Sequence, residues 1–299
     1  MVKEGITFTT PALNLCLNLI MIETLDHIII AVEDLDQATK DYELLLGCNP
    51  VWMGEHKAYG TANSLFNFEN TYLELLAAKG EGFGADMINH ILSERGEGLS
   101  GAVLSTKDAH KAFSALTNAG YSLGEPADGE GINHKDSQIR KWKNLFLPPE
   151  LTRGIFAFLI EHVEGSLEMP SFKDDSIHKL DHLVINTNDA DGFIKIYQEI
   201  YGIRLALDKV IDAWNKRMLF FRLNKTTIEV IEEKDTNPSF DKLWGLAWSV
   251  KNLNQTHARL KKAGVDISEI KPGIKENTKV ATVKSHTHNV PTLLIEHIS

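Results

Sequence analysis

The sequence predicts an α+β chain made of four βαβββ units, and three observations carry that prediction. The first is a repeated opening. Leu25-Asp26-His27 runs into the apolar stretch Ile28 to Val32, and Leu180-Asp181-His182 runs into Leu183, Val184 and Ile185. The second is spacing: 47 residues separate His27 from Glu74, and 47 separate His182 from Glu229. Each half then closes on the same tripeptide, Ile160-Glu161-His162 and Ile295-Glu296-His297. The third is a finer period. Counting from His27, Gly101, His182 and Gly245, a helical pattern stops at Gly47, Gly120, Gly202 and Gly264, after 20, 19, 20 and 19 residues.

Each helix has a start and a stop in the local chemistry. Asp34 and Asp108 offer side-chain oxygens to free backbone N–H groups, as do Asn188 and Asn252. Tyr42 and Leu45, Phe113 and Leu116, and Phe193 and Tyr197 fall on one face at helical spacing. Glycine just past the end allows the left-handed turn that closes a helix. Three strands are expected after each helix, from β-branched and aromatic enrichment between Gly, Pro and Asn punctuation. The second unit places its first such strand near Ser122–Gly124, and the fourth near Asp266–Ile270. Residues 164–178 lack periodicity and read as a linker between domains at 21–163 and 179–299; residues 1–20 lie outside the repeat as an appended segment.

Bulk composition narrows the function classes. The chain has 299 residues with 43% hydrophobic and 24% charged side chains, enough for two domains with ordinary cores. A net charge of −10 argues against nucleic acid or an anionic membrane as partner. Two cysteines, Cys16 and Cys48, make no disulfide framework, so a cytoplasmic setting is expected. The apolar run from Ala12 to Ile22 is broken by Asn14 and Asn18, too short and too polar for a membrane span. The expected partner is a small molecule, and the sequence leaves a homodimer open.

Paired βαβββ units with a first-strand His and a fourth-strand Glu resemble the vicinal oxygen chelate superfamily, the glyoxalase, bleomycin-resistance and extradiol dioxygenase group. The residues carrying the resemblance are Leu25-Asp26-His27, Gly60-Thr61-Ala62-Asn63 ahead of Tyr72-Leu73-Glu74-Leu75, and Lys141-Trp142 ahead of Phe158-Leu159-Ile160-Glu161. The resemblance implies two tandem half-barrel domains with a divalent metal ion (Zn, Mn, Fe, Ni or Co) held inside. Carried over by position, the ligands are His27, Glu74 and Glu161, with a second set at His182, Glu229 and Glu296. The remaining family position falls on Gly101 and Gly245, which have no side chain to ligate.

Strand parity places His27 on the face of Ile29 and Ala31, and Glu74 on the face of Tyr72 and Leu76. The same alternation turns His162 and His297 away from the ion. Thr61, Asn63 and Trp142 are candidate substrate contacts. His56 is either a base at the site's edge or a solvated side chain. His286 and His288 sit where they could crowd the second site, or in a surface loop.

What the resemblance implies is a metal-dependent lyase or isomerase that chelates two neighbouring substrate oxygens, with Glu74 or Glu161 as general base. Ring-opening dioxygenase chemistry ranks lower, because the second histidine it uses falls on glycine. The rival reading is a metal-free protein that sequesters a small molecule. The first half carries the Gly-Thr-Ala-Asn loop and 87 residues between Glu74 and Glu161, against 67 between Glu229 and Glu296. It is therefore expected to be the working half, with Gly82–Gly84 and Ala127–Ser137 building walls over a cleft.

Overall fold

Local chemistry sets the helix ends as expected. The computed structural model describes residues 22–212, 214–233 and 241–298. After β1 (Ile22–Ala31), the Asp34 side chain accepts from the Gln37 backbone N–H and starts α1 (Leu35–Leu46). Gly47 ends it at φ 74°, in the left-handed region. The chain continues as β2 (Trp52–His56), β3 (Thr61–Asn67), β4 (Tyr72–Ala78), α2 (Phe83–Arg95) and β5 (Gly98–Thr106). Asp108 caps α3 (Ala109–Asn118), followed by β6 (Ala127–Asn133), β7 (Ile139–Phe146), α4 (Pro149–Thr152) and β8 (Phe158–Glu164).

The second half repeats the order. After β9 (Ile177–Thr187), Asp189 rather than Asn188 caps α5 (Ala190–Ile194), which widens into π-helical turns over Lys195–Ile200. β10 (Arg204–Ile211), β11 (Lys216–Leu223), β12 (Thr226–Glu232) and β13 (Lys242–Val250) follow. Asn252 caps α6 (Leu253–Lys262), and β14 (Lys271–Pro272), β15 (Thr278–Val283) and β16 (Thr292–His297) complete the half. Two expected strands move. The sixth lies at Ala127–Asn133, not Ser122–Gly124, and the Asp266–Ile270 segment makes one isolated bridge, Ile267 with Val283. The appended segment at 1–20 lies outside the described residues.

The two halves share a strand order and differ by one strand pair. In the first sheet the order β1-β4-β3-β2-β6-β7-β8-β5 closes into a barrel through β1 and β5. The second sheet reads β10-β11-β12-β9-β13-β16-β15-β14 and stays open. Closure of the first uses the pairs Gly54 with Asn133 and Glu55 with Ile132 between β2 and β6. Its counterpart in the second sheet would join β10 to β14, but β14 has only two residues.

One hydrophobic core runs across both halves. Phe68 of the first packs on Trp248 of the second, with ring centroids 4.7 Å apart. Polar clasps flank that core. Arg153 binds Asp241 (2.7 Å) and Asp189 (3.2 Å), and Arg259 donates to the Leu44 and Leu45 carbonyls, where a cation complements the C-terminal end of α1. His288 reaches back to Glu97 (2.8 Å) and Asp41 (3.1 Å) of the first half, so it joins the halves instead of crowding the second site. Among the described residues no helix is long and apolar enough to cross a membrane.

Asp241 is fully enclosed, and Arg153 is its cationic partner. Removing one member of such a pair strands the other charge in a medium that solvates it poorly. Arg153→Ala is expected to destabilise the protein by about 3 kcal/mol or more, read as a lowered urea midpoint. An unchanged midpoint would show that the clasp is not structural.

Candidate functional site

The interior of the closed barrel gathers polar side chains that the strand pattern would ordinarily separate. Between Leu25 and His27 the pairing of β1 with β5 skips a residue, leaving Asp26 in a bulge. A bulge breaks strict alternation, so consecutive side chains can converge. Here the His27 Nδ1 lies 2.7 Å from Asp26 Oδ1, and His27 Nε2 lies 3.3 Å from Glu74 Oε2. The other Asp26 oxygen binds His162 Nε2 at 2.8 Å. On the far side the Asn63 amide nitrogen donates to Glu74 Oε1 at 2.7 Å and approaches His56 Nε2 at 3.3 Å, while His56 Nδ1 meets Thr61 Oγ1 at 3.0 Å. That network assigns His56 the tautomer with its proton on Nδ1. The Tyr72 ring stacks on the His27 imidazole with centroids 4.5 Å apart.

Burial and charge oppose each other at these groups. Burial works against protonating His27, but its bonds and attraction to Asp26 and Glu74 outweigh it and raise the imidazole pKa. Burial alone would raise the Glu74 carboxyl; the His27 bond and charge reverse that and lower it. Asp26 is likewise desolvated, yet His162 and His27 hold it well below the usual carboxylate range. Burial lowers the pKa of His56, which suits its neutral role. The result is an imidazole held between two carboxylates, each of which favours its protonated form.

A cleft of about 760 Å³, including the space at its mouth, opens onto this array. Its apolar wall is aromatic, with Tyr59, Trp142, Phe156 and Phe158 among the lining, and Phe83, Gly84 and Met87 close one side from α2. Thr61, Asn63 and Trp142 all line it. Room for the tryptophan comes from Gly129, where a Cβ would stand 2.2 Å from the Trp142 Nε1. Of the expected walls, the start of α2 lines the cleft through Phe83 and Gly84, whereas no residue of Ala127–Ser137 lines it; β6 bears on the cleft only through the packing of Gly129 under Trp142.

Glu161 is elsewhere. On β8, Phe158 and Ile160 line the cleft, so Glu161 points to the opposite face. There its carboxylate accepts the Ala109 N–H at 2.8 Å, at the first residue of α3. The positive end of a helix suits a carboxylate, and Glu296 repeats the contact with Leu253 at the start of α6, also at 2.8 Å. The set of three ligands expected at His27, Glu74 and Glu161 is therefore not assembled, nor can Glu161 serve as a base in the cleft. The same holds for Glu296 beside His182 and Glu229. His162, expected to face away, instead bridges to Asp26, as His297 does to Asp181 (2.6 Å). Asp26 was legible as the repeated Asp-His pair; its importance depends on the bulge, which nothing in the local sequence marks.

The second half keeps the pattern in looser form. His182 Nε2 and Glu229 Oε2 are 3.8 Å apart, with side chains 17% and 19% exposed, against 3% and 9% for His27 and Glu74. Burial leaves the Glu229 carboxyl raised, because the His182 attraction is too weak to reverse it. Among the described residues no group of three or more His, Cys, Asp or Glu side chains is placed to hold a metal ion.

Paired βαβββ units wrapped into eight-stranded sheets around such a cleft define a tandem vicinal oxygen chelate fold. The model of the family described as "Glyoxalase-like domain" matches residues 25–201, and that of the "Glyoxalase/Bleomycin resistance protein/Dioxygenase superfamily" matches 181–282. The first covers more than half of the chain, and the protein belongs to that glyoxalase-like family. No protein with a curated description matches it in sequence.

Solved structures share the fold at low identity. A mutant of 4-hydroxymandelate synthase from Streptomyces coelicolor has a TM-score of 0.64 at 12% identity, covering 93% of both chains. A hypothetical protein from Staphylococcus aureus scores 0.62 at 14% identity, over 93% of this chain and 100% of its own. An Mn(II)-bound glyoxalase from Novosphingobium aromaticivorans scores 0.61 at 15%, over 93% of this chain and 83% of its own.

Two outcomes test the geometry. Glu161→Ala should cost about 1 kcal/mol through the lost helix cap and leave the His27–Glu74 pair in place, as read by urea unfolding and histidine NMR. A shift of the His27 resonances would return Glu161 to the site. The pH dependence has a defined sign. The raised His27 pKa stabilises the fold fully below about 6.5, and this is lost as pH rises through the folded value. The lowered Asp26 and Glu74 values stabilise above about 4 and are lost on acidification. The stability gap between the native protein and His27→Gln should therefore be larger at pH 6 than at pH 9. A gap that grows toward pH 9 would mean that His27 is buried neutral.

Proposed function

We propose that the N-terminal barrel binds a small molecule and acts on it by proton transfer, in the manner of a lyase or isomerase, with the C-terminal half as a supporting domain. The observation that carries this reading is the buried His27–Glu74 pair at the wall of an aromatic cleft. His27, held protonated by Asp26, is a general acid or charged donor for a substrate oxygen, and Glu74 is the carboxylate able to accept a proton from a neighbouring carbon. Asn63 orients Glu74, and His56 with Thr61 orients Asn63. The apolar lining excludes water and strengthens these interactions.

A divalent ion, as named for the Mn(II)-bound structural neighbour, would supply Lewis-acid stabilisation of a developing oxyanion. The donor set here does not fit that role. Only His27 and Glu74 of the expected ligands face the cleft, Gly101 offers no side chain, and Glu161 is committed to α3. No step is assigned to a metal. One observation favours a pure binding role: both Glu74 oxygens are already engaged, by Asn63 and His27.

Solvent exchange separates the two readings. A panel of small carbonyl and 2-hydroxycarbonyl compounds in deuterated water, followed by proton NMR, should include one whose carbon-bound proton exchanges with the native protein. That exchange should fall at least 100-fold in Glu74→Gln and His27→Gln, and persist within about threefold in His182→Gln and in EDTA. Binding without exchange would favour sequestration. Exchange lost in EDTA and restored by Mn²⁺ would place an ion in the reaction.

A further inference from the structure

Arg140 on β7 is the charged group of the cleft that the proposed chemistry does not use. It is only 6% exposed and lines the cavity. A guanidinium carries five donors and is rarely buried unless a carboxylate or phosphate takes them up. No Asp or Glu among the described residues lies within ion-pair distance of Arg140, and its Nε has no hydrogen-bond partner. What holds it is aromatic. The guanidinium carbon sits 5.7 Å from the Trp52 ring centroid and 5.5 Å from that of Tyr72. Its polar contacts are the Tyr72 hydroxyl and a long one from Nη2 to His162 Nδ1 at 3.5 Å, neither of them anionic.

Cation–π contact holds a guanidinium without an opposite charge and leaves N–H donors available for a fork of two parallel hydrogen bonds. Two polar atoms elsewhere in the cleft are also unfilled. Asn144, farther along β7, and Asn63 are 6% and 3% exposed and line the same cleft, and each has a side-chain oxygen with no partner. For Asn63 the assignment is fixed, because its nitrogen must face the Glu74 carboxylate. An enclosed arginine without a counter-ion, in one cleft with two orphaned amide oxygens and aromatic walls, describes the missing occupant.

We propose that Arg140 is the anchor for a carboxylate, and that the natural ligand of this cleft is a small aromatic carboxylic acid. The carboxylate lies in the fork of Arg140, the ring lies against Phe158 and Trp142, and any hydroxyl or amine of the ligand meets Asn63 or Asn144. This rests on the reading of the cleft as a small-molecule site and names its substrate class. A single fork suits a planar carboxylate; a phosphate in an enclosed site would want more donors than Arg140 and the His27 edge supply.

The test uses three acids, benzoate, phenylacetate and 3-phenylpropionate, each beside its neutral amide, titrated into the full-length protein and followed by calorimetry and NMR. At least one acid should bind at least tenfold more tightly than its amide, and that preference needs no variant to observe. Arg140→Gln should reduce the acid to the affinity of the amide, and Arg140→Lys should recover part of it, since a lysine keeps the charge and loses the fork. Should Arg140→Gln fail to fold, the acid-to-amide ratio in the native protein and the Arg140→Lys result still decide. Equal affinity of acid and amide, no binding by any of the three acids, or an Arg140→Lys variant as tight as native would overturn the assignment. Acid binding through Arg140 with no proton exchange on any compound would retain this subsite and discard the proton-transfer reading.

Discussion

Two backbone pairs, Gly54 with Asn133 and Glu55 with Ile132, turn the first sheet into a barrel. The cleft depends on that closure. With β2 and β6 joined, Trp142 and Arg140 on β7 are brought round to face His27 on β1 and Glu74 on β4. The close approach needs small residues on both strands: Gly54 lies against Trp52, and Gly129 and Gly131 lie against Trp142. A side chain at Gly129 would collide with a rigid indole, and neither the ring nor the backbone beneath it can yield cheaply. The second sheet, with a two-residue β14, has no such wall.

Inside the barrel, electrostatics follow from enclosure. An imidazole 3% exposed is costly to charge, yet two carboxylates at 2.7 and 3.3 Å outweigh that cost and raise its pKa. The open second sheet shows what enclosure contributes. The same residue types, His182, Asp181 and Glu229, sit there in wetter surroundings, and the glutamate drifts to 3.8 Å with its carboxyl raised instead of lowered. Duplication supplied both halves with one set of groups, and closure of a single sheet separates an organised cleft from a loose copy.

The repeated Ile-Glu-His tripeptide divides its work between two faces of a strand. The glutamate satisfies the first N–H of the helix packed outside, at Ala109 and at Leu253, and the histidine bridges to the aspartate of the bulge. Both are structural reasons for a motif to recur in duplicated units, quite apart from any ligand. Arg153, Arg259 and His288 then tie the halves across a shared core, so the open half buttresses the closed one.

By itself the sequence determined the four βαβββ units, the helix ends and the inward faces of β1 and β4. These follow from interactions within a few residues: Asp34, Asp108 and Asn252 cap their own helices, Gly47, Gly120, Gly202 and Gly264 take positive φ, and period-two alternation places His27 and Glu74. Tertiary structure decided the rest. Which face of β8 looks inward follows its pairing with β7: His162 pairs with the cleft-lining Trp142 and turns toward Asp26, while Glu161 pairs with Lys143 and turns out. The bulge at Asp26 depends on β5, and barrel closure on β6 lying five residues later than its local pattern suggested. Arg140 carried no signal along the chain, because its burial without a counter-ion arises only when Trp52 and Tyr72 arrive from other strands.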